Sequence, residues 1–79
     1  MKQKYYVVKG RYKDYIVFVK SGNFWNAFYG DALIIHFLTG YSFTNYHVGF
    51  PSKVLDKVLN RVRNLNINFI LVYEFLQEK

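Results

Sequence analysis

The chain has to fold around one small apolar core, because it has 79 residues and no cysteine. A domain of this size buries only about 60% of the surface that its unfolded chain exposes, and no disulfide can make up the difference. Hydrophobic residues make up 52% of the sequence, which is enough for a dense core and far outside the range of disordered chains. We therefore expect a single domain over residues 1–79.

Aromatic residues make up 22% of the chain, more than one small core needs. Some tyrosine and phenylalanine side chains should therefore lie on the surface or at an interface. This excess makes self-association, or binding to a protein partner, one of the functions to consider.

Strand-like segments dominate the first part of the chain. The segments 4–9, 15–20 and 23–29 are rich in β-branched and aromatic residues, and the turn sequences GRYKD and SGN separate them. We predict that the first two form a hairpin and that 23–29 pairs with 15–20. Alternation along a strand then places Phe24, Asn26 and Phe28 on one face. The opposite residues Trp25 and Ala27 are predicted core, so the Asn26 face is the one expected to meet solvent or a ligand.

Two helices are predicted after these strands. Asp31 is a suitable N-cap for a short buried helix that ends before Gly40, and Ser52 is a suitable cap for an amphipathic helix with an apolar stripe from Val54 to Leu65. One or two short strands are expected between them, and the apolar segment 67–75 is typical of a buried strand. The predicted fold class is α+β, a mixed sheet of about five strands with two flanking helices.

The chain has eleven basic and five acidic residues, which gives a net charge of +6. They concentrate in residues 1–20, which include Lys20, and recur at four-residue steps as Lys53, Lys57 and Arg61. Such a balance favours a polyanionic partner such as nucleic acid, an acidic protein or a membrane surface. The alternative is a solvated surface that only keeps the protein soluble.

The sequence offers no enzymatic constellation. The isolated glycines form no phosphate-binding loop, the five carboxylates are scattered, and His36 and His47 stand apart from any metal-ligand pattern. We expect no catalytic site, no metal, no cofactor and no nucleotide binding, and we expect hydrogen-bonded structural roles for both histidines. Charges interrupt every apolar run near the start, so we predict a cytoplasmic protein without a membrane segment.

Two stretches, YIVFVKSGNFWNAFYGDA and GFPSKVLDKVLNRVRNLNINFILVYE, resemble the N-terminal mismatch-recognition domain, domain I, of the MutS DNA-repair proteins. The family runs a hydrophobic strand into a GxFYE motif, followed by an acidic-Ala helix start and later a G-[IFV]-P segment that opens a helix. Residues 22–26 occupy the GxFYE positions, Asp31 and Ala32 the helix start, and residues 49–51 the later segment.

The resemblance implies DNA binding in the minor groove. In the family, the motif phenylalanine stacks beside a mispaired base, and the motif glutamate hydrogen-bonds that base. The resemblance therefore implies that Phe24 is a stacking wedge and that Asn26, which replaces the glutamate, is its polar neighbour. The predicted nucleic-acid contacts are Phe24 and Asn26 at the bases or groove floor, the neighbouring Asn23, and Lys20, Lys53, Lys57 and Arg61 on phosphates.

Two alternatives stay open at this stage. Phe24 could pack against the first predicted helix with Asn26 merely exposed, in which case neither would bind a ligand. The whole domain could also be a protein-interaction or regulatory module that keeps the fold without binding DNA. Its candidate contacts would then be Tyr5, Tyr6, Tyr12 and Tyr15.

Overall fold

A computed structural model of the protein describes residues 1–73. Its helices and strands follow in chain order: α1 Lys2–Arg11, β1 Ile16–Ser21, β2 Phe24–Phe28, α2 Tyr29–Thr39, β3 His47–Pro51, a 3-10 turn Ser52–Val54, α3 Leu55–Asn64 and β4 Phe69–Tyr73. Strands therefore form where the β-branched and aromatic runs predicted them from residue 15 onward, and α3 carries the predicted amphipathic pattern.

Within residues 1–73 the strands form one four-stranded sheet in the order β3-β2-β1-β4. β2 pairs antiparallel with both β1 and β3, whereas β1 and β4 are parallel. The parallel pair requires a crossover, which α2, β3 and α3 supply together. The predicted fold class, an α+β fold with a mixed sheet and helices against it, is confirmed, but residues 1–73 contain four strands and three α-helices where about five strands and two helices were predicted.

Helices cover both faces of the sheet. On one face α2 and α3 enclose the larger core, which contains Phe18, Trp25, Ala27, Ile35 and Val62. Trp25 and Ala27 are therefore core residues, as predicted. On the other face α1 packs over a smaller cluster made of Tyr5, Val17, Val19 and Phe28.

The first element is the main correction, because residues 4–9 form part of helix α1 and not a strand of a hairpin. The apolar residues Tyr5 and Val8 are one helical turn apart, and both pack on the smaller cluster. Helices gain most of their stability from such packing, so it outweighs the strand preference of the adjacent tyrosines and valines. Tyr5 is buried, so it is not available as the surface contact expected in the protein-interaction alternative.

Smaller corrections concern the helix boundaries. α2 begins at Tyr29, two residues before Asp31, and neither Asp31 nor Ser52 makes the predicted capping hydrogen bond. Gly40 does follow the C-terminus of α2, with a left-handed φ of 79°. The predicted strand 67–75 is observed as β4 within the described residues, where its side chains are only partly buried, and positions 74 and 75 lie outside them.

Candidate nucleic-acid interface

Phe24 lies at the tip of the sheet, where it begins β2 directly after the tight turn from β1. Gly22 adopts φ 60° in this turn, a left-handed conformation that glycine accepts without steric cost. Phe24 pairs with Ser21 on one side and with Pro51 on the other, so its backbone is held in the sheet. Its side chain nevertheless remains 50% exposed. The result is an apolar ring that projects from a rigid backbone.

Asn26 is only 5% exposed although it shares this face with Phe24, and Phe28 on the same face is buried as well. The prediction that this face meets solvent is therefore correct for Phe24 and wrong for Phe28 and Asn26. Asn26 Nδ2 donates to the carbonyl oxygen of Val19 at 3.1 Å and lies 3.4 Å from that of Phe24. Its Oδ1 lies 2.7 Å from His47 Nε2. The amide therefore serves three partners inside the fold, the reverse of the alternative in which Phe24 packs and Asn26 is exposed.

His47 has the hydrogen-bonded structural role expected for it, but its contact with Asn26 was not predicted. Because Asn26 Nδ2 donates to backbone carbonyls, Oδ1 is the acceptor and His47 Nε2 carries the proton of their hydrogen bond. Burial, and then the positive charge of Lys2, lowers the pKa of His47 below its ordinary value. Register could have suggested the pairing, since β3 places Gly49 opposite Asn26 and His47 two residues away on the same face.

Two further predicted contacts lie near Phe24. The Asn23 carbonyl oxygen accepts a hydrogen bond from the Ser52 backbone amide at 2.8 Å, which brings the turn beside the exposed Lys53. Lys20 precedes the turn, and its Nζ lies 6.0 Å from the ring centroid of Trp25. Alternation along β1 places Lys20 on the face opposite Phe24. Two cations therefore flank the turn, one after β3 and one before β2.

Lys57 and Arg61 lie farther away, on α3, whose core-facing side packs on the sheet face opposite Phe24. Each four-residue step along a helix advances about 6 Å, so these side chains extend a basic row away from Lys53. Arg61 Nη1 also donates to the Leu38 carbonyl oxygen at 2.7 Å, which satisfies a carbonyl near the end of α2. The seven predicted residues thus divide into a group at the sheet tip and a row along α3.

A buried carboxylate fixes where α1 crosses the other face. Asp31 accepts hydrogen bonds from the Tyr5 hydroxyl at 3.1 Å and from the Val17 amide at 3.1 Å, and it pairs with Lys9 Nζ at 2.9 Å. Burial, and then the Asp31 charge, raises the pKa of Tyr5. These contacts anchor α1 at the Phe28 end of β2, where the Tyr5 and Phe28 rings are 5.3 Å apart. Phe24 lies at the other end of the same strand.

Other kinds of site find no support in the described part of the chain. No group of three histidine or acidic side chains within residues 1–73 is arranged to hold a metal ion. None of the helices described there is long and apolar enough to cross a bilayer. His36 Nδ1 lies 2.6 Å from the Tyr41 carbonyl oxygen, which agrees with the structural role expected for it.

The sequence profile of one family, described as MutS domain I, matches residues 1–74. The chain belongs to the MutS domain I family. The match confirms the resemblance drawn from residues 15–32 and 49–74 and extends it through α1. No curated protein matches the chain. MutS domain I is a non-catalytic DNA-binding domain that recognises mismatches, and its α+β fold agrees with the four-stranded mixed sheet of residues 1–73.

Proposed function

We propose that this MutS domain I binds DNA by itself and uses Phe24 as an apolar wedge at a weakened base step. The observation that carries the proposal is the half-exposed Phe24 ring on a backbone paired on both sides. An apolar wedge in the minor groove unstacks one step at a cost of a few kcal/mol and gains a bent duplex with a larger contact. The cost is smallest where a mismatch has already weakened the step.

The basic residues supply affinity in this proposal. Lys20 and Lys53 flank the wedge and would contact phosphates on either side of the step, and Asn23 in the turn would contact the groove or a sugar. Lys57 and Arg61 would meet phosphates farther along the duplex. Each neutralised phosphate releases counterions, so affinity should fall steeply with salt.

We propose a role for Asn26 that differs from the base contact made by the family's glutamate. Its amide already bonds with Val19 on β1 and with His47 on β3, so we propose that it holds β1, β2 and β3 together beneath the wedge. A direct hydrogen bond to a base would use the second lone pair of Oδ1 or would replace the His47 contact. A neutral group there removes the charge with which the glutamate acts. We therefore expect selection by ease of unstacking more than by base identity.

Fluorescence anisotropy tests the proposal with three labelled DNAs: a matched duplex, a duplex with one mismatch and a single strand. Each is titrated with wild type, Phe24→Ala, Phe37→Ala and Lys53→Ala at several salt concentrations. Phe37 is a matched control, because it is a 77% exposed aromatic residue on α2. Emission of the buried Trp25 verifies that every variant is folded.

We expect Phe24→Ala to bind the mismatched duplex more weakly by about 1–3 kcal/mol, the contribution of one stacked base, at every salt concentration. Phe37→Ala should match wild type. Lys53→Ala should instead reduce the slope of log affinity against log salt by about 1. Equal affinities for Phe24→Ala and Phe37→Ala would contradict the wedge.

Absence of binding at low salt would contradict the DNA-binding proposal altogether. The protein would then have the family fold without DNA binding, and the result would favour the protein-interaction alternative. We also propose a cytoplasmic location, as expected from the sequence.

A further inference from the structure

A second aromatic surface lies at the end of β2 opposite Phe24. It consists of Tyr6 on α1, Tyr29 at the start of α2 and Tyr46 just before β3, which together we call the tyrosine platform. The Tyr6 and Tyr29 ring centroids are 5.9 Å apart with 28° between the planes, and those of Tyr29 and Tyr46 are 6.0 Å apart with 26°. These are offset-stacked arrangements.

The platform is exposed although its rings are held in place. Tyr6 is 56% exposed and Tyr46 is 64% exposed, so neither ring is a core residue. The Tyr6 hydroxyl donates to the Tyr29 hydroxyl at 2.8 Å, and the Tyr29 amide donates to the Tyr46 carbonyl oxygen at 2.8 Å. Rings fixed before a ligand arrives lose little conformational entropy when it binds.

The backbone adopts an uncommon conformation to present these rings. Tyr29, Asn45 and Tyr46 have φ values of 54°, 55° and 62°. The left-handed region costs about 1 kcal/mol or more for residues other than glycine, and asparagine tolerates it best. Strained residues of this kind cluster at ligand-binding sites. The fold therefore keeps two tyrosines in a costly conformation that stacks their rings at the surface.

Positive charge lies next to the platform. Lys2 Nζ is 5.9 Å from the Tyr29 ring centroid, and its charge also acts on His47. Asp31, the acidic residue close to Tyr29 in sequence, is buried and paired with Lys9, so it does not offset Lys2 at the surface. Exposed aromatic rings beside a cation are the combination that binds unpaired nucleotides, with bases on the rings and phosphate on the cation.

We propose that the tyrosine platform binds unpaired nucleotides of the same DNA that Phe24 contacts as a duplex. This inference rests on the proposed function and names a second site for it. Phe24 and Phe28, the two ends of β2, are four positions apart, which corresponds to about 13 Å along the strand, and Tyr29 of the platform follows Phe28 directly. A single-stranded tail of a few nucleotides can reach from the wedge to the platform. One or two of its bases stack on Tyr46 and Tyr6, and Lys2 contacts the backbone.

The experiment compares one mismatched duplex in a blunt form with the same duplex carrying a four-nucleotide thymidine tail on the 3′ or the 5′ end. Each DNA is titrated by anisotropy with wild type, Tyr46→Asn, Tyr6→Ala and Phe37→Ala. Asparagine suits the left-handed backbone at position 46, and alanine suits the exposed helical position 6, so both variants should fold. A thymidine oligonucleotide is measured alongside.

We expect one of the tails to tighten wild-type binding about tenfold, in the range of one stacked base. Tyr46→Asn and Tyr6→Ala should each lose most of that gain while binding the blunt duplex as wild type does. Phe37→Ala should keep it. Failure of both tails to strengthen wild-type binding, or full retention of the gain in both tyrosine variants, would overturn the platform.

The two proposals fail separately. The platform alone would be overturned if blunt-duplex binding depended on Phe24 while the affinity gained from the tail were the same in both tyrosine variants as in wild type. If wild type did not bind the blunt duplex but bound the thymidine oligonucleotide, and Tyr46→Asn abolished that binding, the result would support the platform and contradict the wedge.

Discussion

Replacement of Asp31 by alanine should destabilise the fold more than any other single change to an acidic residue of the described chain. The β1–β2 ladder ends at Val19, so Asp31 is the acceptor for the buried Val17 amide. An unsatisfied buried amide costs about 1–3 kcal/mol. Loss of the charge-assisted contact with the partly exposed Lys9 adds about 1 kcal/mol. Tyr5 keeps an acceptor, because its hydroxyl lies 3.2 Å from the Phe28 carbonyl oxygen.

The expected total for Asp31→Ala is about 3 kcal/mol. A domain of this length has about 4–12 kcal/mol of stability, so the loss is a large share of it. Urea unfolding followed by Trp25 emission measures the change. Asp56→Ala is the matched control, because Asp56 is exposed in the first turn of α3 and should cost less than 1 kcal/mol. Equal costs for the two variants would refute the anchoring role of Asp31.

Three further predictions concern stability. His47 has a pKa below its ordinary value of about 6.5, so the unfolded chain takes up a proton that the folded chain resists. Stability should therefore fall as pH drops below about 6.5, and His47→Gln, which can still donate to Asn26, should flatten that part of the urea-unfolding profile. Gly49→Ala places a Cβ 3.2 Å from Asn26 Oδ1 and from His47 Cε1, and it should cost about 1–2 kcal/mol by urea unfolding. Gly40→Ala, at φ 79°, should cost about 1 kcal/mol in thermal unfolding, and an unchanged melting temperature would contradict the strain.

Local pattern was sufficient to predict most of the fold. The turn at Gly22, the core positions of Trp25 and Ala27 in β2 and the stripe on α3 each depend on neighbours in sequence, and all three were predicted correctly. Helix α1 was not, because its anchors are distant: Tyr5 and Lys9 bond to Asp31, more than twenty residues away. No propensity scale contains such contacts.

For the candidate site too, local sequence predicted some features and distant contacts determined the others. Alternation placed Phe24 and Asn26 on one face, but the position of α1 and the bond from His47 decide which of them is open. The tyrosine platform joins three separate parts of the chain and depends on left-handed backbone at Tyr29 and Tyr46. Tyrosine does not favour that conformation, so the sequence pattern could not predict the platform.

The central claim is that the Phe24 ring enters a base step, and DNA bending tests it most directly. A mismatched duplex with a donor and an acceptor dye at its ends reports a kink as increased energy transfer. Saturating wild type should raise the transfer, consistent with a kink of about 20–90°. Saturating Phe24→Ala, at low salt where phosphate contacts suffice for binding, should leave the duplex nearly straight. A straight duplex bound to wild type, or an equal bend with Phe24→Ala, would contradict the account.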